Sequence, residues 1–255
     1  MILVMKGADF SNNPNAVNVR DFPVIEDGLV GYYTPNKNIT VDPVSKKILK
    51  LPSFMVDGPD LTHLGGTVNS PVLFTESTAF KGNTIRFNSG TAAAPGLATS
   101  ELTYDLVNGA SFTFMYSTPE ASTGSNRVMF AIESIKLQLR VNATSGVGHL
   151  QMGNTGTNNF YDIGLHGFPG GTYAITLVLL KNSVKFYKDG ALLQTVNITA
   201  ENLPDTASGI TSLGSNWAGS SALLNHQVKQ FHVHDKELSL AEVQAIHAVL
   251  PTLVI

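Results

Sequence analysis

The sequence predicts an all-β protein, a two-sheet antiparallel sandwich of jelly-roll type closed by one short C-terminal helix. Three observations predict it. Apolar side chains recur with a two-residue period in many short runs, as in IKLQLRV at 135–141, so that one set faces a core and the other faces out. Asp189-Gly190 stands between two such runs, and both central residues of a type I′ hairpin turn need positive φ. A single helix signature, Ser239-Leu240-Ala241-Glu242, comes last.

The elements follow in order. Residues 1–26 open on the short apolar run Met1–Met5 and continue as KGADFSNNPNAVNVRDFPVIED, rich in Asn and without a helical period. They are expected to form an arm outside the core, either one able to add a strand to a neighbouring sheet or subunit or a loosely attached terminus. Residues 27–255 are expected to form one sandwich domain, a size common for a single all-β unit. Between Gly28 and Gly90 the apolar runs are broken by Pro35, Pro43, Pro52, Pro59 and Pro71, and proline confines strands to edges and starts.

Four strand-like runs follow at 111–116, 127–133, 135–141 and 147–152. In the third, Ile135, Leu137, Leu139 and Val141 should face in, and Lys136, Gln138 and Arg140 out. Three stretches rich in Gly, Asn, Ser and Thr, namely STPEASTGSN, GNTGTNNFYD and LGSNWAGSS, read as loops. Tyr173–Leu180 is apolar enough for a strand buried on both faces, and Lys181-Asn182-Ser183 turns the chain back. Val184, Phe186 and Lys188 then alternate with Lys185 and Tyr187, giving one buried face, and Ala191–Ile198 is the return strand after Asp189-Gly190.

A loop is expected from Thr199 to Leu224, then a strand at Val228–Asp235 with Phe231 and Val233 on its inner face. Ser239 and Glu242 form a capping box, in which each side chain satisfies the other's backbone N–H, and Leu238 and Val243 occupy staple positions. Val243, Ile246 and Leu250 recur at helical spacing until Pro251 stops the helix.

These residues resemble a family. SVKFYKDGALLQTV, a Gly-rich loop and VKQFHVHDKELSLAEVQAI together look like the closing half of a laminin-G-like domain of the concanavalin-A-like lectin and glucanase superfamily. Tyr187-Lys188-Asp189-Gly190 matches the Tyr-x-Asp-Gly hairpin of such domains, and Leu238–Glu242 matches their Leu-Ser-x-x-Glu helix start. Gly28–Tyr33, Asn83–Phe87 and Ser111–Tyr116 are similar to landmarks of the front half, so the resemblance covers residues 27–250. Two positions depart from the pattern: Tyr173-Ala174-Ile175 stands where many of these domains have a Trp-His pair, and His234 where a Tyr is common. The resemblance implies a concanavalin-A-like jelly roll that binds glycans or proteins through its edge loops.

Composition excludes several classes. A charged fraction of 14% and a net charge of -3 leave no basic footprint for nucleic acid. The absence of cysteine rules out a disulfide framework, a thiolate zinc site and a Cys nucleophile. The apolar start is too short for a signal peptide, with Lys6 on its wrong side. No apolar run approaches a membrane span, so no membrane partner is expected. The acceptor patterns at Asn38, Asn142 and Asn197 need a secretory route to be used.

Chemistry is sparse. Retaining glycosidases of the superfamily carry paired carboxylates, often as Glu-x-Asp-x-x-Glu, because acid and nucleophile must sit about 5 Å apart; the chain has no such motif, and Glu133 stands alone in its run. No catalytic residue and no cofactor is therefore expected, although distant carboxylates converging in space would change that. His232-x-His234 has a spacing that metals use, but no third ligand is near, and a solvated strand face explains the pair equally. No metal is expected. Trp217, the one tryptophan, lies in LGSNWAGSS. Its indole either stacks on a sugar ring, with Ser215 and Asn216 bonding hydroxyls, or caps the sandwich beneath its own loop. Asn159, Phe160 and Tyr161 form a second aromatic and amide cluster with the same two readings.

The expected function is a non-catalytic module that binds carbohydrate, such as a bacterial surface polysaccharide. MKGADFSNN looks like the opening of some bacteriophage tail-associated proteins, which implies a virion or extracellular surface location with assembly subunits held by the arm. Homo-oligomerisation is left open. The alternatives are a structural decoration or assembly protein and a glycan hydrolase.

Overall fold

The computed structural model describes residues 25–249 apart from 36–37, 56, 65–70, 76, 78–79, 81, 88–95, 119–126, 142–146, 155–156, 167–170, 199–202 and 219–225. Residues 1–24 of the expected arm, Leu250 and Pro251, most of STPEASTGSN and the end of LGSNWAGSS lie outside the described residues.

The first strands are short: β1 (Leu29–Tyr33), β2 (Thr40–Val41), β3 (Ile48–Leu51), β4 (Leu61–His63), β5 (Val72–Phe74), β6 (Thr84–Phe87), β7 (Leu97–Thr99) and β8 (Tyr104–Asp105). Longer ones follow, β9 (Ala110–Thr118), β10 (Arg127–Ile132), β11 (Leu137–Val141), β12 (Val147–Asn154), β13 (Thr157–His166), β14 (Gly171–Leu180), β15 (Ser183–Lys188) and β16 (Ala191–Asn197). The chain closes with β17 (Thr206–Ala207), β18 (Thr211–Leu213), β19 (His226–His234) and the helix α1 (Leu240–Val249).

They build two stacked antiparallel sheets. One has the order β16-β15-β14-β9-β19-β6-β5 with β1 also on β19, the other β13-β12-β11-β10-β18-β7-β4-β3-β2, and β17 pairs β8 as a small ribbon. The fold is the expected antiparallel sandwich with one short helix. Between the sheets, Phe112, Phe114 and Tyr116 of β9, Leu177 of β14 and Phe231 and Val233 of β19 pack into one apolar cluster with Phe130 of β10, Leu139 of β11 and Leu150 of β12. Each such side chain contributes roughly 1.5–3 kcal/mol by leaving water. Val184, Phe186, Phe231 and Val233 are all buried, as the alternation requires.

Local signals are realised where their chemistry is strongest. Asp189 and Gly190 take φ of 49° and 82°, the positive pair of a type I′ turn, and Asp189 Oδ1 accepts the Ala174 N–H at 2.8 Å. At the helix start the Ser239 N–H donates to Glu242 Oε2 at 2.7 Å and the Glu242 N–H to Ser239 Oγ at 3.3 Å. Leu238 and Val243 are buried together in a second apolar cluster with Ile246, Met115, Ala174, Val178 and Tyr187. The helix thus covers the outer face of the first sheet.

Burial on that outer face corrects two expectations. His232 and His234 do not lie on a solvated face: both are buried, with Ile25 O at His234 Nε2 and the Tyr32 ring edge-on to His232. Tyr187, expected outward on β15, is buried against α1. Elsewhere β11 begins only at Leu137, since Lys136 has φ 50° and its N–H closes a turn onto Glu133 O. Gln138, expected outward, is buried, as is Gln151 opposite it on β12. GNTGTNNFYD is strand on both sides of residues 155–156: β12 pairs with β13, with Met152, Gln151 and Leu150 opposite Asn159, Phe160 and Tyr161. Its Asn and Gly content masked an extended stretch whose Thr, Phe and Tyr favour strands. The stretch 199–224 also gains two short strands, β17 and β18.

Candidate functional site

Trp217 sits just after β18, and the loop that carries it is fixed by its glycine. Gly214 has φ +81°, and a Cβ there would lie 2.0 Å from the Phe87 ring, so only glycine fits. Its N–H donates to Met129 O at 2.7 Å, tying the loop to β10. Ser212 Oγ donates to Ser215 O at 2.8 Å and Ser215 Oγ to Asn216 O at 3.0 Å. Ser215 is fully buried, and its hydroxyl serves the loop's own backbone. Asn216 and Trp217 are half-buried.

The indole has a charged neighbour. Lys136 Nζ lies 4.9 Å from the Trp217 ring centroid, a cation–π distance. Lys136 is delivered by the β10–β11 turn, where the Glu133 N–H donates to Ile210 O at 2.9 Å and the Ser208 N–H to Ser134 Oγ at 3.1 Å. Glu133 Oε2 accepts from the Ile210 N–H at 3.4 Å, so this carboxylate braces the turn. A half-exposed indole beside an ammonium and an amide combines an apolar plate with donors at its edge, which is what a pyranose ring and its hydroxyls require.

The second aromatic cluster is elsewhere. Asn159, Phe160 and Tyr161 lie on the edge strand β13, four strands from β18 in the same sheet, a separation of about 19 Å at ordinary strand spacing. The structure does not bring the two expected clusters into one site.

It does form a cleft that sequence spacing gave no sign of. Lys50, Asp57–Asp60, Thr62 and Thr99–Glu101 line about 390 Å³ at the Thr99 end of β7; the Trp217 loop leaves β18 at Leu213, opposite Leu97 at the other end of that strand. Asp60 is ion-paired with Lys50. The buried Tyr33 hydroxyl donates to Pro59 O at 2.7 Å and is held well above its ordinary pKa by burial, then by the charges of Asp60 and Glu101. Carboxylates that converge from residues 57, 60 and 101 carry no short sequence signature; proline-broken strands hid them.

Among the described residues no group of three His, Cys, Asp or Glu side chains is placed to hold a metal, and no helix is long and apolar enough to cross a membrane.

No protein-family model and no curated protein sequence matches the chain. Solved structures do match in fold. The binding domain of Paraclostridial Mosquitocidal Protein 1 superposes with a TM-score of 0.59 at 14% identity, over 86% of this chain and 52% of that one. The binding domain of Botulinum Neurotoxin DC in complex with SialylT gives 0.59 at 12% identity, over 88% and 52%. Domain 4 of AbnA, a GH43 extracellular arabinanase from Geobacillus stearothermophilus, in complex with arabinotriose, gives 0.56 at 17% identity, over 88% of this chain and 100% of that domain. The chain spans about half the length of the two toxin domains. At these identities the likeness is one of fold, an antiparallel β-sandwich.

Proposed function

We propose that the protein is a non-catalytic carbohydrate-binding module whose contact surface is centred on Trp217. The observation that carries this reading is the half-buried indole held by the Gly214 loop, with Lys136 beside its ring and Asn216 next to it. Supporting it, two sandwiches of the same fold are described in complex with a sugar, SialylT in one and arabinotriose in the other. Stacking supplies affinity for the apolar face of a sugar, and the flanking donors orient its hydroxyls. A bacterial surface polysaccharide is the ligand class proposed. A glycan array probed with the wild type and with Trp217→Ala tests it. Binding by the wild type that falls at least tenfold in a folded Trp217→Ala variant supports the reading; no binding to any glycan contradicts it.

The finer setting is a virion or tail component anchored through residues 1–26, and its support is the MKGADFSNN opening. Co-purification with virions tests it. The structural alternative, a decoration protein assembled with further copies or with other subunits, is checked by mass in solution. A hydrolase is favoured by one observation, the carboxylates of Asp57, Asp60 and Glu101 around one cleft. Against it, Asp60 is held by Lys50, and Asp57 and Glu101 are exposed, where a general acid needs an apolar environment.

A further inference from the structure

The contact between α1 and the first sheet runs through imidazoles. His247 is buried on α1. Its Nδ1 accepts the Gly190 N–H at 2.7 Å, which places its single proton on Nε2, 2.8 Å from Thr176 Oγ1; Thr176 Oγ1 in turn lies 2.8 Å from Thr113 Oγ1. Gln244 Nε2 also donates to Gly190 O, at 3.3 Å. On the same outer face His232 Nε2 bonds Gln230 Oε1 and His234 Nε2 bonds Ile25 O, both at 3.2 Å. Each of these acceptors fixes the proton on Nε2. His232 Nδ1, His234 Nδ1 and Gln230 Nε2 are buried without a hydrogen-bond partner.

We propose that α1 is an acid-released latch: protonation of His247 at Nδ1 sets N–H against the Gly190 N–H, breaks the clamp between hairpin and sheet, and undocks the helix from the outer face. The surroundings offer little to hold a buried cation. Around His247 stand Asp189 of the β15–β16 turn, whose Oδ1 already accepts from Ala174, and His232. Around His232 stand His234 and His247, with Tyr32 of β1 edge-on at 4.8 Å. Around His234 stand Lys236, Glu242 and Asp235, and Lys236 already binds Glu242 and Asp27. Lys185 of β15 is paired with Glu237, and Tyr187 is neutral near them. Burial pushes His247 down to about 4 and His232 down to about 3.

Separate release is possible because the helix packs in its own apolar cluster, apart from the one between the sheets. A cleft of about 360 Å³ lined by Ala174, Asp189, Gly190, Gln244, His247 and Ala248 brings solvent to the imidazole. Undocking uncovers Met115, Ala174, Val178 and Tyr187.

Hydrogen exchange of the full chain at pH 8 and pH 5, corrected for intrinsic rates, tests this. With His247 at about 4 when docked and ordinary when released, the opening equilibrium of α1 should rise about thirtyfold at pH 5, while β9 and β14 stay better protected than α1 at both pH values. His247→Gln, which keeps an acceptor toward Gly190 without a titrating group, should lose that rise. Unchanged α1 protection, helix and sheet equally protected at pH 5, or the same rise in His247→Gln overturns the proposal. Should His247→Gln fail to dock at pH 8, the wild-type imidazole decides by NMR. His247 titrating together with the helix signals supports the latch, and His247 titrating normally in a docked helix overturns it.

Discussion

Phe114 and Phe231 lie face to face on adjacent strands, ring centroids 5.3 Å apart and planes 4° apart. Phe130 reaches them from the opposite sheet at 5.7 and 5.8 Å. This trio joins β9, β19 and β10 across the two layers, and such close packing is sensitive to every missing atom.

Phe231→Ala should therefore cost about 3–5 kcal/mol, the transfer and cavity cost of a buried ring. The denaturant midpoint should fall with little change in slope. Phe231→Leu should cost markedly less, because it refills most of the volume. Equal midpoints for Phe231→Ala and the wild type would mean that β19 does not pack inward.

Gly214→Ala should act on the candidate surface as well as on stability. The added methyl meets the Phe87 ring at 2.0 Å and the backbone holds φ +81°, so either Phe87 or the loop must move, costing about 1–3 kcal/mol. Trp217 emission should shift with it. An unaltered spectrum and midpoint would show that the loop is not seated on Phe87.

Acid should weaken the whole fold. Burial, the leading cause in each case, pushes His226 and His232 down to about 3 and His247 to about 4. The unfolded chain binds these protons near pH 6.5 and the native one only far below, so their stabilisation is complete above about pH 6.5 and is lost as pH falls toward 3. Each group should cost about 2 kcal/mol by pH 5 relative to pH 8. Chemical denaturation across this range checks the sign: a midpoint that rises on acidification contradicts the burial of these rings.

Much of the sandwich was legible in the sequence, and the reasons are local. Asp189-Gly190 can hardly form anything but a tight turn, and Ser239 with Glu242 states a helix start in four residues; both are realised bond for bond. What failed was burial by a second layer. Alternation along β19 reports one partner face, and nothing in the spacing of His232 and His234 discloses that the other is buried as well. Polar-looking GNTGTNNFYD concealed a strand for a related reason, since pairing with β12 supplies what composition does not. The site was partly legible: a lone Trp among Gly, Ser and Asn marked a presenting loop. Ser215 turned inward because Gly214 reverses the chain beside Phe87, a contact between residues far apart in sequence. Asp57, Asp60 and Glu101 converge through sheet order alone.

The most direct test of the account uses the chain's single tryptophan. Titrating the protein with bacterial surface polysaccharide and following Trp217 emission should give a saturable change, with the same midpoint as an independent binding isotherm. Binding that leaves the emission untouched would place the ligand elsewhere, and no binding to any such polysaccharide would contradict the carbohydrate-binding account itself.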